Sequence, residues 1–439
     1  MFTTIQLKNY KTFTDTTIDL SVNNTKAKNL VLLYGENGAG KSNFASIFLC
    51  FADLIRTMDV RDMFQELMEN YKEAAQHEGF LEILKSRFKD IETIIKDYRT
   101  IDSTGNLSME FSFIINGKKG KYLIEMDSKE IVHERLEYTL EKNKGLYFDI
   151  SQSGTKLNEK VFINKNLLSD ININIEKFWG KHSLLAIIYH EFSDKSSKFL
   201  EGAFSEHFSA CLEEFFLLSC RVKKSNSPEY GVLGLSHPIL AKLESGTIHE
   251  QDVAELDKAE IMLSNFLSKV NPSIEKVFYK RKAKKEKISY ELYTRQLISG
   301  AIKDIHFSLE STGTHNLLEL IPFFINAAKG HTVVIDELDN GIHDLLVQYL
   351  LEDIFNELSG QLIITTHNTH IMRSSILPSN SFYLVKKDNI GTRKIECITE
   401  RDDRVHPNHN KQHRYITGGY EAIPSWSNIS IKELAGILD

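Results

Sequence analysis

The feature that most constrains this chain is a glycine-rich loop that follows an apolar run near the N-terminus. Residues 35–42 read Gly-Glu-Asn-Gly-Ala-Gly-Lys-Ser, which is a G-x4-G-K-S spacing. The apolar run Leu30–Tyr34 predicts a strand before the loop, and the pattern NFASIFLCFADLI predicts a helix after it. Glycines in such a loop let backbone N–H groups face phosphates, and the helix N-terminus adds partial positive charge. We therefore predict a phosphate-binding loop formed by Gly35, Glu36, Asn37, Gly38, Ala39, Gly40, Lys41, Ser42 and Asn43.

Two side chains of this loop have chemical roles that the spacing predicts. Lys41 is expected to bind the β- and γ-phosphates of ATP, and the Ser42 hydroxyl is expected to coordinate Mg²⁺. A phosphate loop alone does not hydrolyse ATP, because the metal needs a second anchor and the attacking water must be oriented or deprotonated. Acidic residues are therefore expected at the end of a neighbouring strand.

An acidic pair with this placement follows the apolar run Thr332–Ile335. Asp336 ends the predicted strand and can reach the magnesium shell, while Glu337 is placed to polarise water as a catalytic base. A further apolar run, residues 362–365, is followed by His367, which is expected to touch the γ-phosphate. The simpler interpretations are a solvated acidic turn for the pair and a structural role for the histidine.

Length and composition indicate a soluble protein with several structural units. The 439 residues exceed the size at which a single core usually stops growing. The net charge of -7 excludes a uniformly basic surface, so any contact with nucleic acid must be local. The four cysteines form no CxxC pair, which favours reduced thiols in a cytosolic protein. We find no export signal at the start and no apolar stretch long enough to span a membrane, and we expect a cytoplasmic location.

Apolar periodicity divides the chain into six predicted segments. Strands alternate with helices around the phosphate loop and the acidic pair, which implies parallel βα units. The expected fold class is α/β: a P-loop NTPase head with a mixed sheet and flanking helices, a β-rich lobe and an inserted helical arm. The segments are the first part of the head (1–58), a helical segment (59–104), the β-rich lobe (105–165), the helical arm (166–272), the second part of the head (273–388) and a tail (389–439).

Short-range signals predict hairpins at several places. Alternating apolar and polar residues over 3–20 predict one, and Asn116-Gly117 between two alternating runs predicts another. Residues 280–287, from Lys280 to Lys287, carry six cations and are predicted to form a basic turn between two strands. Such a turn can engage phosphates of DNA or RNA, although a charge run at a hairpin tip is usually a solvated edge.

The order of these elements resembles a known family. The segments Glu310-Ser311-Thr312-Gly313-Thr314, Asp336-Glu337-Leu338-Asp339-Asn340-Gly341-Ile342-His343 and residues 415–424 are similar to bacterial abortive-infection and phage-defence ATPases. These belong to the ABC-type ATPases related to RecF, SMC and OLD proteins. The resemblance covers residues 1–50 and 270–425 and leaves out the predicted arm. It implies an ABC-type head that uses ATP and Mg²⁺.

The resemblance also implies a composite site. Ser311 and Gly313 would act as a signature element that one subunit of a head-to-head homodimer donates to the γ-phosphate held by the other. A hydroxyl and an exposed backbone N–H at the start of a helix suit an anion. An ordinary helix N-cap formed by Ser311 or Thr314 is the alternative, and the segment departs from the usual LSGGQ-like form.

The favoured hypothesis is an ATP-gated dimeric switch in anti-phage defence. OLD-type nucleases carry a metal-binding toprim domain after the head, but too few residues follow His367 to form one. The effector, a nuclease or toxin, is therefore expected to be a separate chain. The alternative is a RecF- or SMC-like ATPase of DNA repair or maintenance that binds DNA directly.

Overall fold

The computed structural model describes residues 1–70, 89–193, 202–224, 229–235, 237–284, 287–388, 391–400, 410–423 and 429–437. Its strands are β1 (Phe2–Tyr10), β2 (Phe13–Asp19), β3 (Ser21–Asn23), β4 (Lys26–Ala27), β5 (Leu30–Tyr34), β6 (Leu107–Ile115), β7 (Lys118–Met126), β8 (Ile131–Thr139), β9 (Lys144–Ser151), β10 (Gly154–Leu157), β11 (Ser219–Lys223), β12 (Tyr230–Leu233), β13 (Ser245–His249), β14 (Ile274–Lys284), β15 (Lys287–Ile298), β16 (Ala301–His306), β17 (Thr332–Ile335), β18 (Gln361–Thr365), β19 (Phe382–Lys387) and β20 (Arg393–Cys397). Its α-helices are α1 (Lys41–Ile55), α2 (Thr57–Asn70), α3 (Ile91–Tyr98), α4 (Lys165–Phe178), α5 (Leu184–Ser193), α6 (Glu206–Phe216), α7 (Val253–Val270), α8 (Thr312–Ala328), α9 (Asp344–Glu357), α10 (Lys411–Ile416) and α11 (Ile431–Gly436).

A seven-stranded mixed sheet carries the glycine loop. Its order is β12-β11-β17-β18-β5-β19-β20, in which the five inner strands run parallel and the two edge strands run antiparallel. Strands β5, β17 and β18 are buried along their whole length, as expected for parallel strands covered on both faces. Strands β17, β18 and β5 are parallel neighbours in this order. The loop after β5, the acidic pair after β17 and the histidine after β18 therefore meet at the carboxyl ends of these strands.

A second seven-stranded sheet packs on the helix that follows the loop. Its strands are all antiparallel, in the order β10-β9-β8-β7-β6-β1-β2. Phe51 of α1 packs against Phe111 of β6 and Phe215 of α6, with ring centroids 5.0 and 5.3 Å apart. Twelve of the fifteen residues of α1 are buried, because the helix lies between the two sheets. This packing fixes the helix that begins with Lys41 on both sides.

A smaller lobe has its own apolar core. Strands β13, β14, β15 and β16 form an antiparallel sheet that packs on α7. Leu318 and Ile321 of α8 also belong to this core, so α8 joins the lobe to the mixed sheet. Within the described residues, no helix has both the length and the apolar character that a membrane crossing needs.

Several of the predicted elements are confirmed. The expected α/β head with a mixed sheet is present, and β1 and β2 form the predicted hairpin over residues 3–20. Strands β6 and β7 form the second hairpin, with Asn116 and Gly117 at positive φ, as the Asn-Gly turn requires. The division of the chain into six segments stays a prediction.

The segment predicted as a helical arm, 166–272, differs from that expectation. It contains helices α4 to α7, but β11 and β12 within it add two strands to the mixed sheet. Strand β11 pairs in parallel with β17, more than a hundred residues further along the chain. The segment is therefore partly a component of the head. Each of these strands has only four or five residues, which is too short for a clear apolar period.

The predicted basic turn is also wrong in its extent. Strand β14 continues to residue 284 and β15 begins at 287, so the cations 280–282 lie within a strand. Cross-strand pairing carries the strand through the charged residues: Lys280 pairs with Glu291 and Lys282 with Ser289. Residues 285–286 lie outside the described residues, so the tip of this hairpin remains a prediction.

Candidate functional site

The glycine loop adopts a backbone that needs its glycines. Gly38 and Gly40 have φ values of 74° and 118°, in the left-handed region that favours glycine. Arg393 of β20 donates from Nη2 to the Gly38 carbonyl at 2.9 Å. A Cβ atom at Gly40 would stand 3.1 Å from Cδ of Arg393. The loop is therefore held close to a cation that no sequence pattern predicts at this place.

Lys41 lies inside the curve of this loop. Its Nζ donates to the carbonyl oxygens of Gly35 at 2.9 Å and Glu36 at 3.0 Å. Burial lowers the pKa of Lys41, and the nearby Asp336 carboxylate acts in the opposite direction. In the same turn of the helix, Asn43 donates from Nδ2 to the Thr12 hydroxyl at 2.9 Å, which ties α1 to the β1–β2 hairpin.

Asp336 lies at the carboxyl end of β17 and is fully buried. Thr365 donates a hydrogen bond to its Oδ1, and the Ser42 side chain is a second hydrogen-bond partner. Burial raises the pKa of Asp336, and these hydrogen bonds oppose the rise. A carboxylate and a hydroxyl side by side are hard oxygen donors, the kind that Mg²⁺ prefers. Ser42 and Asp336 thus fit the predicted metal role chemically.

At Glu337 the backbone turns away from the direction of β17. Its φ of 51° lies in the left-handed region, and its backbone N–H donates to the Thr365 hydroxyl at 2.9 Å. Lys223 Nζ contacts the two carboxylate oxygens at 3.3 and 3.2 Å, and the Tyr230 hydroxyl donates to Oε2 at 3.1 Å. A non-glycine residue in this region is uncommon and stays there only where the surroundings fix it.

His367 follows β18 at the same end of the sheet. Its backbone N–H donates to the Asp339 carboxylate at 3.2 Å. Partial burial lowers the pKa of His367, and the positive charge of Lys41 lowers it further. Both effects favour the neutral imidazole, and the second shows that the charge of Lys41 acts on the ring.

Ser311 and Gly313 lie at the start of α8. The Ser311 side chain accepts from the Thr314 backbone N–H at 3.2 Å, which is the N-cap geometry of the alternative interpretation. A Cβ atom at Gly313 would stand 2.7 Å from the Gly341 carbonyl oxygen, so only glycine fits. Asn316 donates to the Asn340 carbonyl at 2.6 Å. The start of α8 thus packs against the loop that follows the acidic pair.

The site also contains residues that the sequence did not single out: Lys223, Tyr230, Thr365 and Arg393. Lys223 and Tyr230 lie on the short strands β11 and β12, far from Glu337 in the chain. Thr365 ends a predicted strand, and its position next to Asp336 follows from the parallel pairing of β17 and β18. No local pattern marks the other three, because strand order brings them to the site.

A family model matches most of the chain that carries this site. The model is described as "AAA domain, putative AbiEii toxin, Type IV TA system", and it matches residues 30–373. The matched range includes the glycine loop, the acidic pair and His367. The chain belongs to this family. As an AbiEii-type AAA protein it is a relative of the abortive-infection ATPases that the sequence resembles.

Solved structures of SMC head domains are similar to this AbiEii-type AAA protein. The SMC head domain from Thermotoga maritima has a TM-score of 0.40 and 14% identity, covering 90% of this chain and 98% of its own. An SMC head bound to the C-terminal winged-helix domain of ScpA has a TM-score of 0.44 and 13% identity, covering 91% and 98%. An SMC head with an extended coiled coil, bound to the C-terminal domain of ScpA derived from Pyrococcus furiosus, has a TM-score of 0.40 and 12% identity, covering 90% and 95%. A comparison with curated protein sequences gave no significant match.

Proposed function

We propose that this protein binds Mg²⁺ and ATP at the glycine loop and hydrolyses ATP to ADP and phosphate. The observation that carries the proposal is the convergence of five side chains at one sheet edge. The Ser42 side chain is hydrogen-bonded to Asp336. The charges of Asp336 and Glu337 act on Lys41, and the charge of Lys41 acts on His367. A cation, a metal-binding pair, a second carboxylate and a neutral imidazole are the parts that phosphoryl transfer to water requires.

Each residue has a separate task in this proposal. Lys41 donates hydrogen bonds to the β- and γ-phosphates in exchange for those it makes with Gly35 and Glu36. Ser42 and Asp336 would hold Mg²⁺, which would supply positive charge against the charge that develops on the phosphates. Glu337 orients the attacking water and accepts its proton.

His367 completes the set of side chains around the γ-phosphate. Its neutral imidazole can donate a hydrogen bond to a γ-phosphate oxygen without an added positive charge. The lowered pKa of His367 supports this role, because it favours the neutral form of the donor.

We further propose that hydrolysis takes place in a head-to-head homodimer. The N-terminus of α8, with the Ser311 hydroxyl and the Gly313 backbone N–H, would complete the site of the other subunit.

The biological role that we propose is anti-phage defence in the cytoplasm. ATP would close the dimer and hydrolysis would reopen it, and the change would be passed to a separate nuclease or toxin. The description of the family as a toxin of a toxin–antitoxin system supports a role in growth arrest or defence.

Phosphate release from the wild-type protein with Mg²⁺ and ATP tests the enzyme proposal directly. If the protein binds ATP but releases no phosphate, ATP has a purely structural role and the enzyme proposal is overturned. EDTA should abolish phosphate release, because Ser42 and Asp336 would lose their metal.

Mixing two inactive variants tests the composite site. Lys41→Ala and Ser311→Ala should each lack turnover, with ATP binding retained by Ser311→Ala. In a one-to-one mixture, half of the dimers pair the two variants and contain one intact site, so about a quarter of wild-type activity should return. A double variant mixed with Lys41→Ala should restore nothing and serves as the control. No recovery in the first mixture would place the whole site within one chain and contradict the dimer.

A RecF- or SMC-like role with direct DNA binding is the second candidate, favoured by one face of β14. Lys276, Lys280 and Lys282 alternate along the strand and are exposed on the same side as Phe278. Phe278 stacks on Tyr293 of β15 at 5.9 Å. A cationic strand face with aromatic rings suits the phosphates and bases of nucleic acid.

Changing all three lysines of this face to alanine should weaken DNA binding. The slope of the logarithm of the binding constant against the logarithm of the salt concentration should become less steep, by about one for each phosphate that is no longer neutralised. Lys258→Ala is the matched control, because Lys258 is an exposed lysine of α7 that pairs with Glu255. Fluorescence anisotropy over a range of salt concentrations, with and without ATP, measures both quantities. Equal binding by the triple variant and the control would exclude this face as the DNA site.

A further inference from the structure

The Glu337 carboxylate is held by two residues of one hairpin. Lys223 and Tyr230 are direct cross-strand partners in β11 and β12. Strand β11 runs parallel to β17 with Arg221 opposite Ile335, so Lys223, two residues further on, comes level with Glu337. The register of three strands therefore brings an ammonium and a phenol to the same carboxylate.

The hairpin occupies most of the acceptor positions of this carboxylate. A carboxylate has about four lone-pair sites. Lys223 uses one on each oxygen, and the Tyr230 hydroxyl uses a second on Oε2, so among the described residues a position on Oε1 stays open. Because the backbone of Glu337 is left-handed, the strand geometry does not fix the direction of this side chain. The hairpin supplies that direction and leaves one acceptor position for a water molecule.

Tyr230 is itself fixed on two sides. The Arg221 guanidinium lies 3.7 Å from the centroid of its ring, and Asn340 Nδ2 lies 3.2 Å from its hydroxyl oxygen. Arg221 is buried and forms an ion pair with Glu319 of α8 at 3.0 Å. The phenol is therefore an ordered group, and its hydroxyl is shared between Glu337 and the loop beyond it.

The same loop lies against the start of α8. The Asn340 carbonyl accepts a hydrogen bond from Asn316, and the Gly341 carbonyl lies against Gly313. A continuous path of hydrogen bonds thus runs from Asn316, near the start of α8, through Asn340 and the Tyr230 hydroxyl to Glu337. If a second subunit displaced α8, these hydrogen bonds would transmit the displacement to the Glu337 carboxylate.

We propose that Lys223 and Tyr230 are positioning residues for ATP hydrolysis, which hold the Glu337 carboxylate toward the attacking water, and that Tyr230 couples Glu337 to α8. The inference rests on the proposed ATPase activity and on Glu337 as its base. Lys223 orients the carboxylate through both of its oxygens, and Tyr230 fixes the oxygen that does not bind water.

Tyr230→Phe tests the hydroxyl alone, because the variant keeps the ring that Arg221 covers. A hydrogen bond to a charged group is worth enough for about a tenfold loss of kcat. KM for ATP and the melting temperature should stay at wild-type values. Equal losses in ATP affinity and thermal stability would instead indicate a merely structural role.

Lys223→Gln tests the charge and should also lower kcat about tenfold at unchanged KM. Lys223→Arg should recover part of the loss, because a guanidinium can still pair with the carboxylate. Lys224→Gln is the matched control, since Lys224 is the next residue of the chain and donates its backbone N–H to Glu229. Unchanged or raised kcat in both Tyr230→Phe and Lys223→Gln, with an active wild type, would overturn the inference.

A second measurement detects the contact between Lys223 and Glu337 without requiring ATP turnover. The Lys223 ammonium donates to both oxygens of the Glu337 carboxylate, and this contact shields the amine from acylating reagents. Acylation followed by peptide mass spectrometry should label Lys223 severalfold faster in Glu337→Gln than in wild type, with Lys224 unchanged. Equal labelling of Lys223 in both proteins would overturn the inference, whether or not the wild type hydrolyses ATP. A wild type that hydrolyses no ATP would overturn the proposed function, which is a separate result.

Discussion

Replacing Glu337 with glutamine should lower the ATP turnover number by roughly 10²- to 10⁴-fold, the usual contribution of general acid–base catalysis. The amide has nearly the same shape as the carboxylate and cannot accept the proton of the attacking water. ATP binding should persist, because the phosphate contacts of Lys41 and the loop do not involve this side chain. Single-turnover phosphate release and equilibrium nucleotide binding, measured on the same preparation, separate the two effects.

Glu357→Gln is the matched control for this result. Glu357 is an exposed carboxylate at the end of α9, just before β18 begins, whereas the site lies beyond the point where β18 ends. It should turn over ATP as the wild type does. Wild-type turnover in Glu337→Gln would mean that another group activates the water, and the assignment of the base would be wrong.

Lys41→Ala should weaken ATP binding by roughly 10²-fold or more, because charge-assisted hydrogen bonds to phosphate are the strong ones at such a site. Lys41 begins a helix that is buried on both sides, so neighbouring lysines cannot move into its place. Isothermal titration with ATP measures the loss directly.

Lys269→Ala controls for the loss of one surface charge, since Lys269 is exposed in the last turn of α7. The melting temperature of Lys41→Ala should be close to that of the wild type without ATP and should no longer rise when ATP is added. ATP binding at wild-type strength would show that the loop does not hold the nucleotide through this lysine.

The residues with a strong local pattern could be predicted from the sequence. Strands β5, β17 and β18 read as short apolar runs because they are buried on both faces, and polar residues follow each of them at the sheet edge. The glycine loop has a spacing that few other structures require. Asp336 and His367 could therefore be assigned to one edge before the order of the strands was known.

Lys223 and Tyr230 could not be predicted in the same way. Each belongs to a strand of four or five residues, and the strand register that aligns them with Glu337 joins parts of the chain more than a hundred residues apart. The basic segment differs from its prediction for a related reason. Its charges indicate a turn, but pairing with Glu291 and Ser289 extends the strand through them.

The burial of α1 between two sheets has a mechanical consequence. A helix in which only three residues are not buried has no face along which it can slide independently of its neighbours. A displacement of the first turn of α1 would therefore be transmitted to the aromatic cluster of Phe51, Phe111 and Phe215. Phe111 belongs to the antiparallel sheet, so the displacement would also reach that sheet. The stiffness of that sheet would then depend on what occupies the loop, at distances where no nucleotide atom makes contact.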